Sequence, residues 1–404
     1  MKYISSLTSS LLSVPGQRCV SILGSTGSIG TSALRVVAKN PDSFHVLALA
    51  GARNMELLAQ QAIQFRPEHL GVLDVQGAQS LASLLPKDYS PCIHIGQSGY
   101  MTLATLDQAQ IILAAQVGAA GLVPALSAAQ AGKVLCLANK EALVLAGHLF
   151  RQACAQSGAI ILPVDSEHNA LFQASLGHGH NQIARLILTA SGGPFRTKTV
   201  EEMTKVTAQQ ALKHPNWSMG AKISIDSATM MNKGLEIIEA VQLFGMASQD
   251  INVVVHPQSI VHSLVEYTDG SQLAHLGIPD MEIPIGYCLG YPHRLNIGLQ
   301  ALDLAQIGTL TFASADPIRF PCLNLARQAL AAGPGHLVIL NATNEVAVDA
   351  FLHNRLPFLG IAQLIEHMLT TTQHTEAHNL EDILALDHNT RIYAQEALGR
   401  LNAH

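Results

Sequence analysis

The sequence predicts an α/β protein with an N-terminal doubly wound parallel sheet, a central α+β region and a C-terminal helical region. Short apolar strands alternate with helix-length segments before residue 165, which is the pattern of a parallel sheet covered by helices. Strands and helices then mix without regular alternation, and helical periodicity dominates the last part of the chain. At 404 residues the chain is too long for one ordinary core, so separate domains are expected. We predict an N-terminal extension over residues 1–17, a first domain over 18–164, a second over 165–300, a linker over 301–321 and a helical domain over 322–404.

The composition is that of a globular chain with a large core, because 48% of the residues are hydrophobic and only 13% are charged. The net charge of −6 disfavours nucleic acid or an anionic membrane as a partner, since either selects a basic surface. The long apolar region over residues 111–146 is interrupted by Gly118, Pro124 and Lys133, which predicts that it does not span a membrane. Six cysteines without Cys-x-x-Cys spacing are typical of reduced core thiols, so we expect a cytoplasmic location.

The elements of the first domain follow from short apolar runs. Residues 1–17 are too polar for a secretory signal, and we assign them no function. Residues 18–23 form an apolar run that predicts the first strand, residues 31–37 have helical spacing, and residues 45–50 predict the second strand. Further strands are predicted at residues 70–73, 111–114, 134–138 and 160–163.

A glycine-rich turn, Gly24-Ser25-Thr26-Gly27-Ser28-Ile29-Gly30, lies between the first predicted strand and the first predicted helix. Bare backbone can approach a phosphate there, and the N-terminus of the following helix presents oriented N–H groups to it. In this strand-turn-helix context the pattern favours a Rossmann-like dinucleotide site, with Gly24, Thr26, Gly27, Ser28 and Ile29 at the pyrophosphate. The alternative is that the glycines only permit a tight turn.

The end of the second strand indicates which dinucleotide is bound. NAD sites usually place an Asp or Glu there for the ribose hydroxyls, whereas this chain has Gly51-Ala52-Arg53-Asn54. The guanidinium of Arg53 can hold a 2′-phosphate, and no acid is present to repel it. The first domain is therefore predicted to bind NADPH, the alternative being that Arg53 is an ordinary exposed cation.

The central region mixes predicted strands with one clear helix. Strands are predicted at residues 185–189, 222–225, 251–255 and 262–267, and a helix is predicted over residues 227–240. The residues near 304–321 are rich in turn formers and predict a linker. C-terminal helices are predicted over residues 323–330, 343–353, 361–369 and 380–398.

Carboxylates in the central region suggest a metal site. Asp165 and Glu167 directly follow a strand with period-two spacing, so in extended chain their side chains point the same way. Asn232 and Glu236 share one face of the predicted helix, with Lys233 beside them. Oxygen ligands select a hard cation, Mg²⁺ or Mn²⁺. The alternative is that each acid is a helix cap or a solvated loop residue.

Two further segments suggest an anion site and a loop. Residues 191–194, Ser-Gly-Gly-Pro, and residues 226–229, Asp-Ser-Ala-Thr, offer hydroxyl and backbone N–H groups that together with Lys233 can hold a phosphate. Residues 214–220 contain the only tryptophan, Trp217, between Pro215 and Gly220. We predict a flexible loop near residues 213–221 that closes over a substrate, the alternative being that Trp217 anchors a surface contact.

Several strings in this chain together resemble the 1-deoxy-D-xylulose 5-phosphate reductoisomerase family. The resemblance covers nearly the whole chain from Val20 onward, although the family commonly has Lys where Arg53 stands. The strings that carry it lie at residues 24–30, 137–141, 163–168, 191–196, 214–220, 226–236, 256–259, 279–281 and 341–345.

The resemblance implies a homodimeric enzyme of the non-mevalonate route to isoprenoids. It would rearrange 1-deoxy-D-xylulose 5-phosphate by retro-aldol cleavage and re-addition, and reduce the resulting aldehyde with NADPH to 2-C-methyl-D-erythritol 4-phosphate. Mg²⁺ or Mn²⁺ would be held by Asp165, Glu167 and Glu236 as a Lewis acid.

The resemblance also implies which residues contact the two organic ligands, with the Trp217 loop closing over them. The substrate contacts would be Lys140, Ser166, Glu167, Ser191, His214, Ser227, Asn232, Lys233 and Glu236, of which Ser191, Ser227, Asn232 and Lys233 would hold the phosphate. The NADPH contacts would be Thr26, Gly27, Ser28, Ile29, Gly51, Ala52, Arg53, Asn54, Asn139, Glu141 and Gly220.

Three other classes of protein fit the sequence less well. A dehydrogenase of the aspartate-semialdehyde type needs a nucleophilic cysteine in a polar loop, and none of the six cysteines has that setting. A short-chain dehydrogenase needs Tyr-x-x-x-Lys, and no tyrosine here has a lysine at that spacing. A non-catalytic NADP-binding regulator predicts the loss of a metal carboxylate or of Lys233, all of which are present.

Overall fold

The computed structural model describes residues 2–7, 16–217, 219–372 and 377–401, with residues 400 and 401 described as backbone only. Its N-terminal part contains a sheet of parallel strands, as the sequence predicted. The strands are β1 (Arg18–Leu23), β2 (Phe44–Ala50), β3 (His69–Val72), β4 (Cys92–Ile95), β5 (Ile111–Ala114), β6 (Val134–Leu137) and β7 (Ile160–Pro163). The intervening helices are α1 (Ser28–Lys39), α2 (Met55–Phe65), α3 (Val75–Leu84), α4 (Gly96–Thr105), α5 (Leu122–Gln130) and α6 (Lys140–Ser157).

The spatial order of this sheet is β4-β3-β2-β1-β5-β6-β7. Strands β5, β6 and β7 are buried along their whole length, as expected for parallel strands that helices cover on both faces. The chain order reverses between β1 and β5, and in such sheets ligands bind at the carboxyl ends of the strands beside the reversal. Both the glycine turn after β1 and Asp165, which follows β7, lie at this edge.

A second, mixed sheet follows, with strand order β11-β10-β8-β9-β12. Its strands are β8 (Ile183–Ala190), β9 (Ile251–Val255), β10 (Val261–Tyr267), β11 (Gln272–Leu276) and β12 (Ala313–Ser314). The helices of this region are α7 (Ser166–Ser175), α8 (Val200–Met203), α9 (Ala208–Ala211), α10 (Ala221–Ala228), α11 (Met231–Phe244), α12 (Glu282–Gly290) and α13 (Leu304–Ile307). The segment predicted as a linker therefore contains a helical turn and an edge strand that pairs with β9.

The C-terminal helices are α14 (Cys322–Ala332), α15 (Pro334–Leu352), α16 (Phe358–Thr371) and α17 (Leu380–Leu401). Helix α15 is almost entirely buried, because it packs against the other three and against α6 of the first region. The C-terminal helices thereby reach the carboxyl edge of the parallel sheet, where α6 begins. Within the described part of the chain, no helix is both long and apolar enough to cross a membrane.

Residues 2–7, part of the segment to which the sequence assigned no function, pack along the edge strand β7. The Tyr3 hydroxyl donates to the carbonyl of Ile161 at 2.8 Å, and the N–H of Ile161 donates to Ser5 Oγ at 3.1 Å. Tyr3 and Ile4 are buried. This segment therefore satisfies backbone groups on an otherwise unpaired sheet edge.

One predicted strand is wrong in a way that matters for the site. Residues 222–225 form part of helix α10, not a strand, because Gly220 begins a helix whose alternating isoleucines, Ile223 and Ile225, only imitate strand spacing. The helix predicted from Ser227 starts at Met231, since Met230 has a left-handed backbone with φ of +62° that separates α10 from α11. Three edge strands, β4, β11 and β12, were not predicted, because each is largely exposed and lacks an apolar run.

Candidate active site

A cavity of about 510 Å³ lies between the carboxyl edge of the parallel sheet and the second region. It collects residues that the sequence pointed to from widely separated segments. The predicted site residues that line it are Gly27, Ser28, Ile29, Lys140, Glu141, Asp165, Ser166, Glu167, Ser191, His214, Trp217, Gly220, Ser227, Asn232, Lys233 and Glu236.

Three carboxylates meet on one wall of the cavity. One oxygen each from Asp165, Glu167 and Glu236 lie within 4.8 Å of one another. Asp165 is also the N-cap of α7, because its Oδ1 accepts from the backbone N–H of Glu167 at 3.2 Å. The capping role considered for these acids is therefore real for Asp165, but it uses Oδ1 and leaves Oδ2 facing the cluster.

Two buried lysines neutralise part of this negative charge. Lys140 Nζ lies 2.9 Å from Asp165 Oδ2 and donates to Asn232 Oδ1 at 2.7 Å, while Lys233 Nζ lies 3.0 Å from Glu167 Oε1 and also contacts Glu236. Burial alone would lower the pKa of Lys140, but the carboxylates of Asp165 and Glu236 outweigh it and raise the pKa well above its ordinary value. Both lysines are held as ammonium ions against the carboxylates.

Glu236 is fully buried, and its pKa is raised to about 7 by burial and by the neighbouring charge of Glu167. The lysines therefore do not fully compensate the cluster, and further positive charge is favoured there. A divalent cation supplies it, and a donor set of carboxylate oxygens suits Mg²⁺ or Mn²⁺. The residues present fit such an ion.

His168 and Glu239 support the carboxylates from behind, and the sequence did not single out either of them. The His168 ring is completely buried, with Nδ1 3.1 Å from Asp165 Oδ1 and Nε2 2.9 Å from the carbonyl of Glu236. Burial would lower the pKa of His168, but the carboxylates of Glu239 and Asp165 raise it to about 9. A protonated ring in this position fixes the orientation of Asp165. The i, i+3 spacing of Asp165 and His168 was the available sequence signal.

The glycine turn is both sterically required and open to the cavity. Gly24 has φ of +93°, and a Cβ there would lie 2.5 Å from the carbonyl oxygen of Ala115; one at Gly30 would lie 2.3 Å from the carbonyl oxygen of Gly24. Gly27 is the N-cap residue of α1 and makes no side-chain cap. The first turn of α1 therefore presents free backbone N–H groups to the cavity, as anion binding at a helix N-terminus requires.

The other predicted cofactor residues lie next to the cavity, outside its lining. A Cβ on Gly51 would lie 3.0 Å from Thr26 Cγ2, so the glycine turn abuts the end of β2. Ala52, Arg53 and Asn54 are exposed just beyond, and Asn54 caps α2 by accepting from the N–H of Leu57 at 3.0 Å. Arg53 is thus accessible at the strand end where the sequence placed it.

Asn139 and Glu141 are both occupied by protein contacts. The side chain of Asn139 caps α6 and donates to the carbonyls of Gln116 at 2.6 Å and Gly118 at 2.9 Å. It is buried and does not line the cavity, and its contact with NADPH stays a prediction. Glu141 lines the cavity and pairs with Lys222 at 2.6 Å.

The loop before α10 is held over the cavity by His214. Its Nε2 lies 2.9 Å from Ser191 Oγ, while Nδ1 accepts from the backbone N–H of Trp217 at 3.0 Å. Since Nδ1 accepts, the proton is on Nε2 and is donated to Ser191. Asn216 anchors the same loop through the carbonyl of Pro257 at 2.6 Å. Ser218, within the predicted loop, lies outside the described residues.

Four residues predicted for a phosphate fall into two pairs. Ser191 and Ser227 line the cavity with their hydroxyl-bearing side chains. Asn232 donates to Glu236 Oε1 at 2.5 Å and Lys233 contacts Glu167, so this second pair is engaged with the carboxylates.

Other lining residues were not predicted, because only the tertiary fold brings them here. They include Ser32, Arg35, Lys222, His256, Ser259, His262 and Asp280.

Three family models match this chain. The model described as 1-deoxy-D-xylulose 5-phosphate reductoisomerase matches residues 20–147. The model of its C-terminal domain matches residues 161–244, and the DXP reductoisomerase C-terminal domain matches residues 276–393.

Curated relatives carry the same name over the full length. The 1-deoxy-D-xylulose 5-phosphate reductoisomerase of Nitratidesulfovibrio vulgaris strain DP4 is 57% identical over 402 residues, covering 100% of this chain and 98% of the relative. That of Lawsonia intracellularis is 55% identical over 389 residues, covering 96% of this chain and 97% of the relative.

Solved structures agree with the fold. A DOX-P reductoisomerase in complex with NADPH, fosmidomycin and magnesium has a TM-score of 0.90 at 42% identity, covering 95% of this chain and 99% of that chain. The reductoisomerase of Zymomonas mobilis in complex with NADPH has a TM-score of 0.89 at 42% identity, with the same coverage of 95% and 99%. The chain belongs to the 1-deoxy-D-xylulose 5-phosphate reductoisomerase family.

Proposed function

We infer that this chain catalyses the NADPH- and divalent-metal-dependent conversion of 1-deoxy-D-xylulose 5-phosphate to 2-C-methyl-D-erythritol 4-phosphate, a step of the non-mevalonate isoprenoid pathway. One observation carries the inference. The carboxylates of Asp165, Glu167 and Glu236 line the same cavity as the N-terminus of α1. A site for a hard cation and a site for a dinucleotide phosphate therefore face one space, as rearrangement followed by reduction requires.

Asp165, Glu167 and Glu236 would hold the metal ion. When bound, Mg²⁺ or Mn²⁺ supplies Lewis-acid polarisation of the substrate's carbonyl and neighbouring hydroxyl oxygens. The use of Mn²⁺ besides Mg²⁺ is part of the proposal and follows from the donor set. Lys140 and Lys233 place ammonium groups against Asp165 and Glu167, and His168 holds Asp165 in one orientation.

The substrate would lie between the carboxylates and the loop that carries Trp217. Ser191 and Ser227 are proposed to hold its phosphate, together with Asn232 and Lys233 once substrate and metal rearrange their contacts. His214, with its proton on Nε2, is a hydrogen-bond donor on the same side. Burial lowers the pKa of His214, which keeps the ring neutral near neutral pH. Lys140 and Ser166 complete the proposed contacts, and Trp217 limits the access of water.

NADPH would enter along the carboxyl edge of β1 and β2. Its pyrophosphate is proposed to sit at Gly27, Ser28 and Ile29, where the first turn of α1 has free N–H groups. Arg53, exposed at the end of β2, would hold the 2′-phosphate. Gly220 and Glu141 line the cavity and are proposed to contact NADPH there.

The domain bounds that the sequence predicted are kept as a proposal. Residues 18–164 would form the NADPH-binding domain, residues 165–300 the catalytic domain, residues 301–321 a linker and residues 322–404 the helical domain.

A homodimer is proposed, supported by the exposed edge strand β11, on which Leu273 and Leu276 remain accessible. A cytoplasmic location is proposed from the six cysteines without Cys-x-x-Cys spacing, and the charge of −6 argues against nucleic acid or an anionic membrane as a partner.

The direct test is an NADPH-oxidation assay with 1-deoxy-D-xylulose 5-phosphate, run on metal-stripped protein and after addition of Mg²⁺ or Mn²⁺. We expect oxidation that depends on both the substrate and the metal, and a much slower rate with NADH. The absence of turnover with either metal would contradict the proposal.

A further inference from the structure

A second group of metal-ligating side chains lies at the opposite edge of the parallel sheet from the cavity. His69 is the first residue of β3, Cys92 is the first residue of β4, and His94 follows two residues later. His69 is the register partner of Cys92 on the neighbouring strand, and Cys92 and His94 share a face because strand side chains alternate. All three side chains therefore project from one face of β3 and β4, remote from the carboxylates, because Asp165 follows β7 at the other end of the strand order.

The ligand atoms are close enough to share one ion. One ring nitrogen from each histidine and the thiol sulfur lie within 4.8 Å of one another, and His69 Nδ1 is 3.1 Å from His94 Nε2. Tetrahedral zinc, with Zn–N and Zn–S bonds of about 2.0 and 2.3 Å, separates its ligand atoms by about 3.3–3.6 Å. Small side-chain rotations bring the three atoms to that spacing, because the paired strands already fix their backbones.

The chemistry of these ligands differs from that of the cavity. Two imidazoles and one thiolate form a nitrogen and sulfur set, which selects zinc-class transition metals over Mg²⁺. Three protein ligands leave the fourth position of a tetrahedral ion for water, and Cys92 is exposed.

We propose that His69, Cys92 and His94 form a binding site for a zinc-class divalent transition metal ion, separate from the carboxylate site. The ion would cross-link β3 to β4, which is the edge strand of the sheet. Because a ligand that binds only the folded state stabilises it, Zn²⁺ at this site raises the thermal unfolding temperature. The alternative is that no metal ion binds here, and that the two imidazole rings share a hydrogen bond beside a free thiol.

The test uses the full chain, stripped of metal and kept reduced, and titrated with Co²⁺ as a spectroscopic substitute for Zn²⁺. We expect Co²⁺ to produce a thiolate-to-cobalt charge-transfer band, which carboxylate ligands cannot give. The variant C92S should lose the band and weaken Zn²⁺ binding more than about tenfold, since it removes one of three ligands. The matched control is C19S, which changes the half-buried thiol of Cys19 and should retain the band.

A second measurement does not depend on a variant that folds. Zn²⁺ should protect Cys92 of the unmodified chain from alkylation, read by peptide mass, while Mg²⁺ should not.

The Mg²⁺-dependent reductoisomerase rate of C92S should equal that of the unmodified chain, because the site is remote from the cavity. A band that is absent from the unmodified chain or survives in C92S would overturn the proposal. Equal alkylation of Cys92 with and without Zn²⁺ would also overturn it.

Discussion

Lys222 Nζ lies 2.6 Å from Glu141 Oε1, and this ion pair joins the first turn of α10 to the first turn of α6. Lys222 also pairs with Asp226 at 2.9 Å, and Asp226 accepts from Asn344 on α15 at 2.8 Å. One chain of polar contacts thus links α6, α10 and α15 beside the cavity. Burial would raise the pKa of Glu141, but Lys222 outweighs it and lowers the pKa.

Replacement of Lys222 by Met should destabilise the fold. Two largely buried carboxylates would lose their shared partner, and breaking a buried pair in this way typically costs about 3–5 kcal/mol. The free energy of unfolding from urea titration should fall by several kcal/mol. The control is Lys87→Met, which removes an exposed lysine and should change stability little. Equal unfolding midpoints for the two variants would show that the Lys222 pairs contribute nothing to stability.

Glu236→Gln should reduce kcat more than about tenfold, because the change removes one proposed metal carboxylate while preserving side-chain shape. NADPH affinity, measured by fluorescence titration, should stay nearly constant, since the proposed pyrophosphate site lies on α1 and Glu236 belongs to α11. Glu201→Gln, at an exposed position, is the matched control. Unchanged turnover in Glu236→Gln would exclude Glu236 from the metal site.

Arg53→Asp should move the coenzyme preference from NADPH toward NADH. A carboxylate at the end of β2 repels a 2′-phosphate and can accept from the ribose hydroxyls of NADH. The ratio of kcat/KM for the two coenzymes measures the change. Lys87→Asp, which lies before β4 at the other edge of the sheet, should leave the ratio unaltered. An unaltered ratio in Arg53→Asp would show that Arg53 is only a surface cation.

Glu282 gives a prediction for the pH dependence of stability. Its carboxylate accepts from Arg35 at 2.6 Å and from Lys39 at 2.7 Å, which joins α12 to α1. Burial would raise the pKa of Glu282, but the hydrogen bonds from Lys39 and Arg35 lower it below its ordinary value of 4.5. The stabilisation is therefore present above pH 4.5 and is lost as the pH falls through the lowered folded-state value.

Glu282→Gln should accordingly lower the urea midpoint at neutral pH, and its difference from the unmodified chain should shrink under acid conditions. Glu201→Gln should show no such convergence, because Glu201 is exposed. A difference for Glu282→Gln that stays constant on acidification would contradict the assignment of the stabilisation to the ionised carboxylate.

Local sequence patterns were sufficient for much of the fold and for the carboxylates. Buried strands such as β5 and β7 are continuous apolar runs, and Asp165 and Glu167 are near neighbours in sequence. The pairing of His168 with Glu239 could not be predicted, because it joins α7 to α11 through tertiary packing. The ion pairs of Lys222 with Glu141 and Asp226 could not be predicted either. The segment that contains Lys222 has strand-like spacing in the sequence, and only the fold brings Glu141 beside it.

The exposed edge strands show a different limit. Strand β4 carries Cys92 and His94 and is recognisable only from its pairing with β3. The sequence predicted that most of the six cysteines are core thiols, and the two exceptions are Cys92, which is exposed, and Cys19, which is half-buried. Burial of the other four, Cys136, Cys154, Cys288 and Cys322, agrees with the expectation.

The most direct test of the central claim is the structure of the product formed from isotopically labelled 1-deoxy-D-xylulose 5-phosphate with NADPH and Mg²⁺. Carbon NMR should show a branched skeleton, 2-C-methyl-D-erythritol 4-phosphate, with one NADPH consumed per product molecule. An unbranched polyol phosphate would mean that the cavity reduces the substrate without rearranging it, and would contradict the account.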